Sequence, residues 1–438
     1  MQINNSNKMK YNTFFQIFLL LILQIKSEDN LSTENFLNWC KKNGIKISPE
    51  IEISFDNGLK ITALEDISAK TELIFFPRQI ILNIDKILKL INSTELKTQY
   101  ENFKKLEIES FKPRNDEIHK EEIFLSYIFY LMKNEKEKYK NTEFYKDFEE
   151  FILSIEEYIP DSPLLYTNEQ KEYFTGTYMG LFAKEITKSI KKEIDIFKNT
   201  SFYNKDINIT DYTQKRLFIY NRGFDTTITQ VGEIELVPLY ALIPFDSMKS
   251  NAQLDIRYKK GAKITTTYDI KKGGQIIINS LSKINVEKMV FEGKMNNYYT
   301  NYKENYLIPA YSPYMYYKYD IDDIKLLESH YFNIFEINFE KNSRIFYKEH
   351  ADNFKIKNQS ELWACLMVQE NLEYYKNYVE ELMKKVNELF KGDNEEKISN
   401  INKALKGEFM NLNTKYERFV DICKYEKEKN IENIKEDL

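Results

Sequence analysis

The first third of the chain alternates between apolar and polar residues in short runs. Residues 51–55 and 59–64 alternate on either side of Asn57-Gly58, and residues 72–76 alternate again before Pro77. Alternation with a period of two predicts half-buried strands, and Asn-Gly is a common hairpin turn. Before them, residues 34–44 have apolar residues at helical spacing and end in Asn-Gly. We expect a leading helix followed by a β-rich unit.

Apolar residues then recur with a period near 3.6 between residues 115 and 199, which predicts helices. Strand-like patterns return at residues 232–244, 263–268 and 275–279, so the β unit is interrupted by helices. The last third is helical in pattern, and its apolar stripe consists of Leu372, Tyr375, Val379, Leu382, Val386 and Leu389. Internal packing is the ordinary explanation of such a stripe, and an intermolecular coiled coil is the alternative.

The N-terminus has the layout of a signal peptide. Lys8 and Lys10 precede the apolar residues 14–25, and polar residues follow at 26–29. We expect a signal peptide over residues 1–27 and a secreted or secretory-pathway protein, with an uncleaved anchor, a buried helix or a cytoplasmic protein as alternatives. Five sequons agree with that compartment: Asn30, Asn92, Asn199, Asn208 and Asn358.

The composition argues against two classes of function, nucleic-acid binding and metal binding. The 438 residues are 42% hydrophobic and 30% charged, with a net charge of -5 and no unopposed basic run. These values predict a folded protein of two or three units that does not bind nucleic acid. Three histidines (His119, His330 and His350) and three cysteines (Cys40, Cys365 and Cys423) match no ligand spacing. We therefore expect no metal site; the cysteines are either buried thiols or include one disulfide.

Six segments, in order, resemble SET-domain proteins of the Rubisco large-subunit methyltransferase type. They are the helix FLNWCKKNG at 36–44, GLKITALEDI at 58–67, PL…GT from 163 to 177, RGF at 222–224, LVPL at 236–239 and DIKKGGQIIIN at 269–279. This family consists of protein-lysine methyltransferases. The resemblance covers residues 36 to about 295, and the C-terminal part agrees only in its helical character.

The resemblance implies an α+β fold with a split β-rich SET core, a helical insert and an all-α C-terminal domain. We expect the core at residues 34–100 and 211–300, the insert at 101–210 and a helical substrate- or partner-binding domain at 310–438. It further implies S-adenosylmethionine as cofactor and a protein or peptide as partner, with no membrane span once the signal peptide is removed.

The same comparison implies which residues form the site. The family binds its donor with a GxG turn, an Asn-His pair and an arginine, and orients the substrate amine with a tyrosine. Here Gly58, Arg222 and Asn285 remain as cofactor-binding candidates. The second glycine of the turn is replaced by Lys60, the Asn-His pair by Pro244-Phe245, a nearby aspartate by Ala241 and the catalytic tyrosine by Ser280, so no catalytic residue is assigned. Arg222 alternatively forms a structural salt bridge, and Asn285 alternatively caps the next helix.

Three functional hypotheses follow. The first is a SET-fold protein that has lost methyl transfer and binds a protein partner. The second is an active S-adenosylmethionine-dependent methyltransferase of protein lysine or histidine, with a rebuilt site. The third is a helical secreted scaffold with coincidental SET-like segments. Donor binding distinguishes the first two hypotheses, and the fold distinguishes both from the third.

Overall fold

The computed structural model describes the chain at residues 34–54, 59–108, 116–156, 159–200, 202, 206–226, 233–243, 249–257, 260–278, 285–294 and 376–408. The expected signal peptide, His330, His350, Cys365 and Cys423 lie outside these residues. The chain divides into two compact units. Unit 1 comprises Met1–Ile108, Lys112–Ile159 and Lys198–Ser282, and unit 2 comprises Glu109–Phe111, Pro160–Phe197 and Lys283–Leu438.

The β structure of unit 1 is antiparallel. Its strands are β1 (Lys46–Ile47), β2 (Ile51–Ser54), β3 (Lys60–Ala63), β4 (Glu72–Phe76), β5 (Phe224–Asp225), β6 (Ile234–Glu235), β7 (Ala252–Arg257) and β8 (Gly261–Thr266). A four-stranded sheet has the order β1-β4-β8-β7, while β2 pairs with β3 and β5 pairs with β6. Since β4 and β8 are neighbours, the helices between them in sequence interrupt one sheet.

The helices of unit 1 surround an aromatic core. They are α1 (residues 34–42), α2 (Ile84–Ile91), α3 (Thr94–Lys104), α4 (Asp116–Asn134), α5 (Lys136–Tyr139), α6 (Glu143–Glu156) and α9 (Ile209–Arg222). Helix α1 ends as predicted, because Gly44 has φ +80° and the Ile45 N–H donates to the Cys40 carbonyl. Helices α4 and α9 pack together, with Phe124, Ile128 and Phe218 fully buried.

In unit 2 the described elements are mainly helical. They are α7 (Asn168–Tyr173), α8 (Tyr178–Asn199, whose last turn passes into unit 1), α10 (Asn285–Glu292), α11 (residues 376–389) and α12 (residues 395–408). Val379, Leu382 and Val386 of α11 are buried, so this part of the apolar stripe packs internally. Leu372 and Tyr375 lie outside the described residues.

The α+β class is therefore confirmed, and so are the leading helix and strands β2, β3 and β4. Residues 232–244 differ from expectation, because only Ile234–Glu235 forms a strand and a 3₁₀ turn, Tyr240–Leu242, follows. Residues 275–278 pair only through isolated bridges. The proposed domain boundaries stay a prediction. Within the described part of the chain, no helix is both long and apolar enough to cross a membrane.

Candidate functional site

The segment before Ser280 is held between two β elements of unit 1. Gln275 bridges Thr62 of β3, and Ile278 bridges Ala252 of β7. The Asn251 side chain reinforces this arrangement, because its Oδ1 accepts from the Ile277 N–H at 2.9 Å and its Nδ2 donates to the Gln275 carbonyl at 2.8 Å. The fold thus joins the β2–β3 hairpin to the strand segment where the resemblance expects a catalytic tyrosine. Ser280 itself lies outside the described residues.

A second segment, residues 236–243, is largely apolar and contributes to the core. Leu236 bridges Leu82, and Val237, Leu239, Ala241 and Ile243 are 0% exposed. Ala241 stands where the resemblance expects an aspartate. A carboxylate there would have to find a buried partner, whereas the methyl group of alanine needs none.

The backbone of this segment is strained at Leu239. Its φ and ψ are +66° and -53°, a conformation that side chains with a Cβ adopt rarely. The following 3₁₀ turn is closed by the Ala241 N–H, which donates to the Val237 carbonyl, and by the Leu242 N–H, which donates to the Leu239 carbonyl. This turn ends at Ile243, the last described residue before position 249.

Arg222 is the last residue of α9 and is half-buried. Its Nη1 donates a hydrogen bond to the carbonyl oxygen of Ile243 at 2.8 Å. Burial raises the pKa of the Tyr240 phenol, and the positive charge of Arg222 opposes that rise. Arg222 therefore fastens the end of α9 to the residue that precedes Pro244, and the salt bridge considered as its alternative role stays a prediction.

The other candidate residues are placed only in part. Gly58, Pro244 and Phe245 lie outside the described residues. Lys60 is the first residue of β3, pairs with Ser54 and is exposed. Asn285 is the first residue of α10, in unit 2. A site formed jointly by Gly58, Arg222 and Asn285 stays a prediction.

Sequence reasoning missed a buried polar cluster between α4 and α9. His119 and Glu122 are 0% exposed and Arg216 is 7% exposed. Arg216 Nη1 lies 3.2 Å from Glu122 Oε2, and Nη2 lies 3.3 Å from His119 Nδ1. The available signal was the spacing of His119 and Glu122, three residues apart on the apolar side of a predicted helix.

Two described residues bear on the methyl donor that the resemblance implies. At position 241 a buried methyl group stands where the resemblance expects a carboxylate, and Arg222 is present, with Nη1 donating to a main-chain carbonyl. Pro, Phe and Ser at positions 244, 245 and 280 also lack the side chains with which the family contacts its donor and its substrate amine.

Comparison with known proteins identifies similar folds among solved structures. No protein-family model and no curated protein matches the chain. Solved structures do match. The SET domain of LSMT bound to lysine and AdoHcy is 14% identical with a TM-score of 0.56, over 91% of this chain and 92% of that chain. Rubisco LSMT bound to AdoMet is 13% identical with a TM-score of 0.57, over 90% of this chain and 93% of that chain.

These matches extend through most of both chains, which argues against a coincidence of short segments. They agree with the order of elements described above, including a β core interrupted by helices and a helical C-terminal part. The chain therefore has the fold of a SET-domain methyltransferase of the Rubisco LSMT type.

Proposed function

We propose that this chain is a methyltransferase-like SET protein that has lost tight donor binding and acts by binding a protein partner. The observation that carries the proposal is Ala241, a 0%-exposed methyl group at the position where the resemblance expects an aspartate. Pro244, Phe245 and Ser280 likewise stand where the resemblance expects polar contacts to the donor and the substrate amine. Arg222 is retained, and its Nη1 donates to the main chain beside Pro244.

The size of the effect follows from the number of contacts replaced. Each donor contact in such a site contributes on the order of 1 to 3 kcal/mol. Loss of the contacts at positions 244, 245 and 280 together would weaken the combined binding of donor and substrate by about two to six orders of magnitude.

An active protein methyltransferase on lysine or histidine is the second candidate. It is favoured by the retention of Arg222 close enough to Tyr240 to oppose the rise in the pKa of that phenol. In such an enzyme, binding energy would position the donor methyl group in line with the attacking amine or imidazole nitrogen.

A transfer assay separates the two candidates. The full chain is incubated with S-adenosylmethionine carrying a labelled methyl group and with a peptide array in which each lysine or histidine peptide has an alanine-substituted counterpart. The proposal predicts no label above that of heat-inactivated protein. Label that depends on the lysine or histidine, and that falls in an Arg222→Met variant of normal stability, would establish the active enzyme instead.

We also propose that the protein enters the secretory pathway. The layout of residues 1–27 and the five sequons support this compartment. A partner would then be met in that pathway or outside the cell.

A further inference from the structure

An open groove lies between α11 and α12 in unit 2. The two helices are joined by residues 390–394, where Gly392 has φ +96°. The groove has a volume of about 760 Å³ and is lined by side chains from both helices and from the turn. Its size is within the range of specific binding sites.

The helix pair is fixed to the rest of unit 2 by its other side. Val386 of α11 and Leu405 of α12 are fully buried. On α12 the Asn400 Nδ2 donates to the Gly293 carbonyl at 3.2 Å, and Glu408 Oε1 accepts from the Met179 N–H at 2.7 Å. The walls of the groove are thus held before any partner arrives, which reduces the entropy cost of binding.

The groove offers apolar surface. Met383 and Ile398 line it and are half-buried, and Phe390 contributes from the turn. Phe390 is 1% exposed and packs on Tyr166 and Phe174, with ring centroids 5.0 and 6.1 Å away. Phe390 therefore fixes the turn from behind, and the apolar surface that a partner meets is that of Met383 and Ile398, of which the flexible methionine adapts to apolar side chains.

The charge of the lining favours an acidic partner. Lys391 and Lys406 are exposed, Lys403 is half-buried, and Glu395 is the carboxylate among the lining residues. The chain as a whole carries a net charge of -5, so this lysine-rich lining has the opposite sign. Complementary charge steers association and selects partners.

One polar atom of the lining is not satisfied within the described structure. Oδ1 of Asn402 is buried and has no hydrogen-bond partner among the described residues. A buried acceptor of this kind is unfavourable until a donor reaches it. A main-chain or side-chain N–H of a bound segment could supply that donor.

We propose that the groove binds an acidic amphipathic helix of a partner protein. The walls are two helices of roughly 20 Å each. A third helix laid between them buries apolar residues at positions i, i+3, i+4 and i+7 on the groove and presents its carboxylates to Lys391 and Lys406. The inference rests on the proposed protein-binding role, of which it names the surface and the chemistry of the partner.

The test uses three synthetic helical peptides that share one leucine face and carry Glu, Gln or Lys at every polar position. Their binding to the full chain is measured by fluorescence polarisation. We expect the Glu peptide to bind at least about tenfold tighter than the Lys peptide, with an affinity that falls as salt rises. A Lys391→Glu/Lys406→Glu variant should reverse the order. A Lys384→Glu/Lys385→Glu variant, changed on the same region of α11 but outside the groove lining, should not.

The following results would overturn the proposal. Failure of the Glu peptide to bind, equal binding of all three peptides, or equal effects of the two double variants would overturn the proposal, provided that circular dichroism shows both variants folded. Binding only to a chain that ends at Glu408 would overturn it as well, because the chain's own last residues would then be the occupant. None of these outcomes depends on S-adenosylmethionine, so the donor question is tested separately.

Discussion

Nη2 of Arg216 lies 3.3 Å from Nδ1 of His119, and both side chains are buried between α4 and α9. A guanidinium group can only donate hydrogen bonds. Nδ1 therefore accepts, and the ring proton of a neutral His119 is on Nε2. The same guanidinium contacts Glu122, so one arginine ties two buried polar residues of α4 to α9.

Removal of Arg216 should destabilise the protein strongly. In Arg216→Met the Glu122 carboxylate stays buried but loses its cation, which typically costs about 3–5 kcal/mol. The control is Lys271→Met, which breaks the exposed pair with Asp66 and should change stability far less, because solvent screens that pair. Denaturant unfolding of both variants is the measurement. Equal losses in the two variants would show that the buried cluster contributes no more than a surface pair.

The free energy of unfolding should rise with pH because the pKa of Lys215, a buried lysine of α9, is lowered by folding. Burial lowers the pKa of Lys215 to about 8, and its Nζ donates to the Ile155 carbonyl at 3.3 Å. The unfolded pKa is near 10.4, so between these values the unfolded chain binds more protons and stability increases as pH rises. The increase amounts to about 3 kcal/mol at most.

The measurement is the difference between two stability curves. Unfolding of the wild type and of Lys215→Met is followed from pH 7 to 10.5 under identical conditions. We expect the wild type to gain stability relative to the variant above about pH 8. If the difference in unfolding free energy between wild type and variant stayed constant across this range, folding would not lower the pKa of Lys215.

Because the backbone at Leu239 is strained, we expect an unusual order of stability for two substitutions at this position. Both Leu239→Ala and Leu239→Gly lose a fully buried side chain and should cost about 2–5 kcal/mol. Glycine is ordinarily the less stable of the two, but it adopts a φ of +66° without the Cβ clash. We expect the glycine variant to be as stable as the alanine variant or more stable by about 1 kcal/mol. Greater stability of the alanine variant would contradict strain at this position.

The proposed compartment can be tested at its sequons. Asn92, Asn199 and Asn208 are all exposed, and Asn92 is the C-cap of α2. Expressed with residues 1–27 in a eukaryotic cell, the chain should carry N-glycans at one or more of them. Glycosidase treatment should then increase its mobility on a gel. Substitution of all five sequon asparagines by glutamine should abolish the shift, and its absence from the wild type would argue against secretory entry.

Local sequence patterns predicted much of this fold, whereas contacts between residues distant in sequence could not be predicted from them. Strands β2 and β3 were found because their alternation flanks an Asn-Gly turn. Strand β7, which pairs with β8, was missed although its sequence AQLDIR alternates strictly between apolar and polar residues, so the local pattern was sufficient to predict it. Arg222 was identified as a candidate, but its partner, the Ile243 carbonyl, lies 21 residues away and is a main-chain atom that any residue would supply. The Arg216 cluster likewise depends on two helices 94 residues apart in sequence.

The central claim is that a SET fold persists here without tight donor binding. Calorimetric titration of the full chain with S-adenosylmethionine, using an active SET methyltransferase as the positive control, tests it most directly. The account predicts no saturable heat for this chain under conditions in which the control binds. Saturable one-to-one binding with micromolar affinity would contradict it.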